Sequence, residues 1–308
     1  MKKIALIYNY NIPYTTGNYL KKAFEYLNYS VECFLPKVLN KIPIGYNFYL
    51  VVDDGSHYFF PEKLRPSGFW VIDSHTAYKV RLLMAKRFDY VFVAQKDAYL
   101  KFKQRKVNAF WLPLACDPDC HSPKCNLPKK YDVSFIGSSG WGKRKKILTE
   151  VFSNFENSYF GKAEHTKIGE IYGSSKIVFN CGVLNDLNMR VFEGLCSGTC
   201  LITNSWAAGQ SDLFKNGREL VEYSDVHEAI RLIKYYLNNG LEREKIAMAG
   251  GKKVLGQHTY RIRAEKIIAI IQKNLPKRVK TFKIMDVFLF RLLTIFYKFK
   301  YKFYWTIS

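Results

Sequence analysis

The chain has 308 residues, enough for one large or two ordinary domains, and its apolar fraction of 48% is normal for a globular protein with a packed core. Lys and Arg exceed Asp and Glu by 22, which favours anionic partners: nucleotide sugars, anionic lipid head groups or nucleic acid. The seven cysteines are scattered and odd in number, and the start MKKIALIYNY is typical of a strand and not of a signal peptide. We therefore expect a reducing, cytoplasmic setting without a disulfide framework.

The first part of the chain alternates strand and helix patterns. Short β-rich runs predict strands at 3–9, 30–36, 48–54, 69–73, 90–94 and 109–114. Helical patterns lie between several of them, as at 19–27 and 80–88. This alternation predicts a parallel sheet with helices on both faces.

The same alternation restarts after a polar stretch with Pro and Lys at 122–130, which we interpret as a linker. Further strands are predicted at 132–137, 157–161, 176–180, 199–203 and 219–223, and helices at 226–238, 242–255 and 258–273. The sequence therefore predicts two consecutive α/β domains, 1–125 and 131–275, and a separate tail, 276–308.

The segment NMRVFEGLCSGTCLITN at 188–204 is the most informative about function. Arg190 and Glu193 are three residues apart near the start of a predicted helix, so they share a face. A helix that begins at the carboxyl ends of parallel strands directs its amides and its positive dipole end toward a ligand. An arginine there can bind a phosphate with two parallel bonds, and a carboxylate can accept bonds from a ribose diol. The pattern favours a nucleotide diphosphate, and the alternative is a surface ion pair at helical spacing.

The same segment resembles the donor-nucleotide motif of GT-B glycosyltransferases, most closely the CgeB-like group, in which R-V-F-E-x-L-x-x-G precedes an apolar L-x-T-N strand. Five other blocks resemble this family in the same order: FWVIDSHTAY, FDYVFVAQKD, WLPLACDPDCH, DVSFIGSSGWGKR and KIVFN. The resemblance covers roughly residues 1–272. It implies an α/β fold of the GT-B type, with two Rossmann-like domains facing a cleft and a basic, aromatic C-terminal tail outside them.

The resemblance implies that the nucleotide sugar binds to the second domain. Gly137 and Ser138 follow its first strand, where small residues let a backbone approach a phosphate. Lys143 and Arg144 open the next helix and would neutralise the diphosphate. Glu193 is then the expected partner of the ribose. From the residues alone, an ordinary turn followed by a solvated basic helix start is equally compatible with this loop.

The chain departs from the larger family at one position. Many retaining GT-B enzymes have a second glutamate eight positions before the one that matches Glu193, and here that residue is Asn185, with Asp186 next to it. Both are candidates for hydrogen bonds to sugar hydroxyls. The departure leaves open a GT-B scaffold that binds a nucleotide without reacting.

The candidate catalytic residues lie in the first domain. His75 follows the predicted strand 69–73 and Asp73 ends it, at an edge that faces the crevice of an open α/β sheet. The resemblance implies that such a residue contacts the sugar or, in inverting members, acts as a base, whereas the alternative for Asp73 is a helix cap. The resemblance also implies that Gly17, in the loop before the first predicted helix, lies beside the acceptor or the donor diphosphate.

Two other polar clusters have simpler interpretations. The run DDGS favours a turn for Asp53, Asp54 and the nearby His57. The three cysteines and one histidine between 116 and 125 match no strong zinc-finger spacing, so we predict no metal site.

The tail, residues 276–308, has eight Lys or Arg, one acidic residue and ten aromatic residues. Its apolar run 284–297 is 14 residues long and is interrupted by Asp286 and Arg291. A spanning helix needs ~20 residues, so the segment favours peripheral contact with the anionic inner face of the cytoplasmic membrane. The alternative is a helix packed back on the first domain, as in many GT-B chains.

Residues and resemblance together predict a hexosyltransferase-like enzyme that moves a sugar from a nucleotide diphosphate to a glycan or cell-envelope acceptor, including a lipid-linked one. We expect no metal and no other cofactor, because the chain has no isolated Asp-x-Asp in a suitable loop. Retention of configuration is favoured by the resemblance only. The alternatives are a nucleotide-sugar epimerase of the same fold, a non-catalytic nucleotide binder, and a nucleic-acid binder. The last rests on charge alone, because no nucleic-acid motif is recognised, and we expect no nucleic-acid partner.

Overall fold

A computed structural model of the protein describes residues 2–125, 127–140, 142–184, 186–274, 276 and 287–297, with the backbone alone at residues 75 and 76. The chain divides into two compact units. Unit 1 contains Met1–Pro113 and the described residues from Arg263 onward, and unit 2 is Leu114–Ile262. The sequence predicted domain boundaries near 125 and 275, whereas the units divide after Pro113 and after Ile262. The return to unit 1 at Arg263 has a physical reason: this fully buried side chain donates from Nε to the Pro113 carbonyl at 2.7 Å.

Unit 1 is built on a parallel six-stranded sheet. Its strands are β1 (Lys3–Ile7), β2 (Ser30–Phe34), β3 (Phe48–Val52), β4 (Ser67–Val71), β5 (Tyr90–Val93) and β6 (Ala109–Trp111). The first helices are α1 (Thr16–Tyr26), α2 (Ser74–Ala85) and α3 (Lys96–Gln104). The strand order is β2-β1-β3-β4-β5-β6. Strands β3, β4 and β5 are buried along their whole length, which explains their continuous apolar sequences.

Unit 2 has its own parallel sheet. Its strands are β7 (Tyr131–Ile136), β8 (Ser158–Gly161), β9 (Ser175–Asn180), β10 (Cys200–Asn204) and β11 (Val221–Tyr223). Its helices are α4 (Pro118–His121), α5 (Gly142–Ser153), α6 (Ile168–Gly173), α7 (Met189–Cys196), α8 (Gln210–Leu213), α9 (Val226–Asn238) and α10 (Gly240–Gln257). The order β11-β10-β9-β7-β8 reverses direction between β7 and β9. Ligands of open α/β sheets bind outside the carboxyl ends of the strands at such a reversal.

Two helices close the described chain: α11 (Tyr260–Lys273) and α12 (287–297). Helix α12 packs one face on the core of unit 1, through Phe290 with Leu293 and Tyr297. The rings of Phe290 and Phe59 lie 4.4 Å apart in an edge-to-face arrangement. In the described part of the chain, no helix combines the length and apolarity needed to cross a membrane. The rest of the predicted tail segment, 277–286 and 298–308, lies outside the described residues.

A buried ion pair organises the carboxyl edge of the unit 1 sheet. Arg81 on α2 donates to both carboxylate oxygens of Asp53, at 3.1 Å from Nε and 2.9 Å from Nη2, with side chains 2% and 1% exposed. Asp53 also accepts bonds from the backbone N–H groups of Ile72 and Asp73. Nη1 of Arg81 lies 2.6 Å from His57 Nε2, and because a guanidinium only donates, that ring nitrogen is the acceptor. The pair therefore holds the turn between β4 and α2 in place.

The turn predicted from DDGS is confirmed beside this pair. The N–H of Gly55 donates to Asp53 Oδ1, and the N–H of Ser56 donates to Asp54 Oδ1. Both are Asx-type bonds, the local geometry for which Asp is favoured in turns. The ion pair with Arg81 adds a long-range role for Asp53 that the local sequence does not reveal.

We expect Asp53→Asn to destabilise the protein strongly, because it removes the buried carboxylate that pairs with the buried Arg81. The expected loss is about 3–5 kcal/mol, or about 6–20 °C in melting temperature for a unit of this size. Asp54→Asn is the matched control, since Asp54 is adjacent and less buried, and among the described residues its hydrogen bond is the local one from Ser56. Thermal unfolding by circular dichroism measures both variants, and equal shifts in the two would contradict a structural role for the ion pair.

Candidate functional site

The candidate site lies in unit 2, at the carboxyl ends of β7 and β9, where the sheet order reverses. Arg190, in the first turn of α7, joins the two strands: Nε donates to the Ile136 carbonyl at 2.8 Å and Nη1 donates to Asn180 Oδ1 at 2.8 Å. Its guanidinium lies 4.2 Å from the centre of the Phe135 ring. These described partners are uncharged, so the positive charge of Arg190 is positioned without being neutralised.

Gly137 has both a backbone conformation that favours glycine and a close approach to this arginine. Gly137 directly follows β7 with φ +146°, and its N–H donates to the Gly161 carbonyl at 2.8 Å. A Cβ at this position would overlap Nη2 of Arg190. Gly140 and Gly142 also have positive φ, at +68° and +60°. The predicted loop of small residues therefore has the open backbone that a phosphate needs for close approach.

Arg144 brings a second guanidinium to the same loop. Its Nη2 donates to the Ser138 carbonyl at 3.0 Å, while Ser138 Oγ accepts from the N–H of Gly140. Its buried Nε has no hydrogen-bond partner among the described residues. Burial, and next the charge of Arg190, lower the pKa of Arg144 to about 10, so it remains a cation at neutral pH. A buried cationic donor without an acceptor is costly, and an anion would supply both the charge and the acceptor.

A cavity of about 380 Å³ opens beside these groups. It is lined by Lys143, Arg144, Ile147, Cys181, Gly182, Val183, Leu184 and Trp206. Lys143 is exposed, and its Nζ lies 5.0 Å from the centre of the Trp206 ring. Within the described residues, Lys143, Arg144 and Arg190 make no ion pair with a carboxylate. The arrangement is chemically suited to an anion with several oxygens, bound next to an apolar or aromatic group.

Glu193 lies one turn further along α7 and is 9% exposed. Its Oε1 is 3.6 Å from Nε2 of His121, which is fully buried. Nδ1 of His121 accepts a bond from the N–H of Asp117 at 2.9 Å, so a neutral His121 has its proton on Nε2, facing Glu193. His121 therefore orients the carboxylate that the sequence predicts for the ribose.

Sequence reasoning did not find this role for His121. The residue belongs to the cysteine and histidine group between 116 and 125, which was weighed only as a zinc site. Among the residues that the structure describes, no three or more His, Cys, Asp or Glu are grouped to hold a metal ion. The one available signal was that His121 ends a block, WLPLACDPDCH, which resembles the family.

Three buried polar atoms in and beside the loop between β9 and α7 have no hydrogen-bond partner among the described residues: one in the loop itself, one at the end of β10 and one on α8. Asn204 Oδ1 accepts from the N–H of Gly182 at 2.7 Å, but its Nδ2 has no partner among the described residues. The same holds for Oδ1 of Asn188 and Oε1 of Gln210, both buried. Asp186 is half-buried in this loop, and its charge acts on Arg144. Asn185 lies outside the described residues. Buried polar atoms are normally satisfied, so this loop has hydrogen-bonding capacity left for a ligand.

The remaining predicted site residues belong to unit 1. Asp73 is exposed at the cap position of α2, where its side chain makes no capping bond. The side chain of His75 lies outside what the structure describes. Gly17 is explained by packing, since a Cβ there would overlap the ring of Tyr8. The structure thus brings Gly137, Ser138, Lys143, Arg144 and Arg190 together in unit 2, and assigns no ligand contact to the unit 1 residues.

Comparison with known proteins gives an independent view. Residues 124–269 match the model of a family described as glycosyl transferase-like. This stretch contains the candidate site residues of unit 2 apart from His121 and Asp117. No protein with a curated description matches the chain.

Several solved structures share the fold. HepE of Anabaena, in complex with UDP and glucose, has a TM-score of 0.64 at 12% identity, over 89% of this chain and 100% of that one. Sucrose-phosphate synthase of Thermosynechococcus elongatus has a TM-score of 0.63 at 12% identity, over 89% and 99%. The DNA-modifying enzyme β-glucosyltransferase, studied with and without uridine diphosphoglucose, has a TM-score of 0.61 at 14% identity, over 88% and 98%. The predicted fold class is confirmed: two parallel-sheet, Rossmann-like α/β units that match GT-B glycosyltransferases. The family model and these structures support the GT-B superfamily and do not distinguish the CgeB-like group.

We expect Gly137→Ala to lower the affinity for UDP by about tenfold or more, because the new Cβ displaces the guanidinium of Arg190 from the loop. Gly161→Ala is the matched control: Gly161 has a similar φ of +157°, and a Cβ there meets no atom within 4 Å. Calorimetric titration of both variants separates loss of the site from backbone strain. A similar loss of affinity in the two would show that the contact with Arg190 is irrelevant.

Proposed function

We propose that the protein is a metal-independent glycosyltransferase that takes a sugar from a nucleotide diphosphate and transfers it to a hydroxyl group of a glycan or cell-envelope acceptor. The observation that supports this most is the group of Lys143, Arg144 and Arg190 around a glycine loop at the sheet reversal. A buried donor of Arg144 has no partner there among the described residues. The solved structures of the same fold with UDP, glucose or uridine diphosphoglucose support a nucleotide-sugar donor.

Each group in unit 2 has a proposed role toward the donor. Arg190, Arg144 and Lys143 bind the diphosphate, and the loop of Gly137 and Ser138 lets its oxygens approach the backbone. Glu193 accepts hydrogen bonds from the two ribose hydroxyls. Its burial lets these bonds form in a medium of low dielectric, where charged hydrogen bonds are strong. Asn185 and Asp186 are proposed to bind sugar hydroxyls.

The chemistry is a displacement at the anomeric carbon of the sugar. The bond from that carbon to the diphosphate oxygen breaks, and its electron pair stays with the diphosphate. The acceptor oxygen forms the new bond and loses its proton. Negative charge therefore grows on the leaving group, and fixed cations beside it stabilise the transition state more than the ground state. Asp73 and His75 are the residues that we propose contact the sugar. We propose retention of configuration, in which the acceptor oxygen attacks from the face that the diphosphate leaves and the departing diphosphate takes up its proton. Asp73 or His75 as the base belongs to the inverting alternative.

We expect Arg190→Ala and Glu193→Ala each to weaken UDP binding by about 2 kcal/mol, or ~30-fold, because each removes a charged hydrogen-bonding partner of the ligand. Arg231→Ala is the control, since Arg231 is an exposed arginine of unit 2 that pairs with Glu228 at 3.4 Å. Isothermal titration calorimetry measures the affinities, and melting temperatures confirm that the variants are folded. Unchanged affinity in both site variants would contradict the assigned roles.

We expect sugar transfer to continue in EDTA. The three cations of the site are available to offset the charge of the departing diphosphate, as a metal ion does elsewhere. Turnover of the donor with an acceptor extract, measured with and without chelator, tests this. Loss of activity that Mg²⁺ or Mn²⁺ restores would overturn the metal-independent proposal while leaving nucleotide binding intact.

Two further measurements identify the nucleotide of the donor and the type of reaction. A thermal-shift series with UDP, GDP, ADP, CMP and dTDP identifies the base, since ligand at 100 times its Kd stabilises the folded state by ~2.7 kcal/mol. Analysis of the products then distinguishes a glycosylated acceptor from an epimerised nucleotide sugar. Binding without any product would identify the non-catalytic alternative.

A further inference from the structure

Helix α12 is apolar on two opposite faces. Its inner face is occupied, because Phe290 is 5% exposed in the core of unit 1 and Leu293 and Tyr297 pack beside it. These positions are three, seven and four residues apart, the spacing of one helix face. The helix is therefore anchored to unit 1 through half of its surface.

The outer face is exposed along the whole helix. Its large apolar side chains are between 45% and 62% exposed; they are Phe288, Leu289, Leu292, Ile295 and Phe296. Arg291 is exposed among them. Contiguous apolar surface of this kind is uncommon on a protein surface and marks an interaction site, and a helix that is apolar all round is normally buried. Within the described residues this face has no apolar cover.

The charges in the sequence on both sides of α12 indicate which kind of surface covers its outer face. The sequence just before α12 contains Lys277, Arg278, Lys280 and Lys283, and the sequence just after it contains Lys298, Lys300 and Lys302. Asp286 is the one acidic residue from 276 to 308. Phe299, Tyr301, Phe303, Tyr304 and Trp305 are interspersed with the last lysines. Basic residues beside apolar and aromatic ones match the head groups and the acyl boundary of an anionic membrane.

We propose that the outer face of α12 docks unit 1 on an anionic membrane surface, lying in the plane of the interface. The described part of the helix, 287–297, has 11 residues and is about 16 Å long, shorter than the ~20 residues that a membrane-spanning helix needs. Insertion of five apolar side chains supplies the hydrophobic part of the affinity, and the flanking lysines supply the electrostatic part. A second copy of this chain is a poorer cover, because two chains of charge +22 would bring like-charged segments together.

This inference is independent of the proposed glycosyl transfer, and it is tested on the full chain without a sugar substrate. The variant is the double substitution Leu292→Ser and Phe296→Ser on the outer face. The matched control is Leu241→Ser with Met248→Ser, two apolar side chains of unit 2 that are 93% and 70% exposed. Co-sedimentation with vesicles of phosphatidylglycerol and phosphatidylcholine measures binding, and melting temperatures verify folding.

We expect the outer-face double variant to lower the membrane partition coefficient by about tenfold or more, and the control to leave it unchanged. Binding should also fall in high salt and on pure phosphatidylcholine vesicles, since the electrostatic part is screened or absent. Equal binding of the two double variants would overturn the proposal, as would failure of the wild-type protein to sediment with anionic vesicles. A dimer in solution that the outer-face variant alone dissociates would assign this face to a second copy instead.

Discussion

The candidate site depends on one interaction, the two bonds that Arg190 makes across the reversal of the unit 2 sheet. By donating to the Ile136 carbonyl and to Asn180 Oδ1, this side chain ties the start of α7 to the ends of two neighbouring strands. Gly137 has a φ that favours glycine, and the guanidinium lies where a Cβ would be, so any other residue there would displace it. Arg144 then joins a loop that already has a positive charge, and burial, followed by the charge of Arg190, lowers the pKa of Arg144. A site whose cations form no ion pair with a carboxylate among the described residues is destabilised when empty and stabilised by an anion.

Two histidines show how buried polar groups support the residues around them. His121 has its tautomer fixed by the N–H of Asp117 and directs its other nitrogen at Glu193. His57 accepts from Arg81 at the edge of the unit 1 sheet. In both cases a backbone bond or a guanidinium decides which ring nitrogen has the proton. Such supporting contacts hold a functional side chain in one rotamer, which is what a binding site needs for affinity without a large ordering cost.

The sequence predicted those features of the structure that depend on the local pattern of residues. Apolar runs located the strands of both sheets to within a few residues, and the Arg190 and Glu193 spacing located the helix at the site. Helix α6 was not predicted, because it is six residues long and contains two glycines. The partners of Asp53 and Glu193 were also missed. Arg81 is 28 residues from Asp53 along the chain. His121 is also distant from Glu193 in sequence. Helix and strand periodicity relates residues a few positions apart, so it reveals neither pair. Long-range pairs of this kind are fixed by the order of strands in a sheet, which no local pattern specifies.

The central claim is that the cations at the sheet reversal bind the diphosphate of a nucleotide. The most direct measurement is a crystal structure of the full chain grown with UDP. The predicted result is a diphosphate within hydrogen-bond distance of Nε of Arg144 and Nη2 of Arg190, with the ribose hydroxyls on the carboxylate of Glu193. A nucleotide bound elsewhere on the protein, with these three side chains unoccupied, would contradict it.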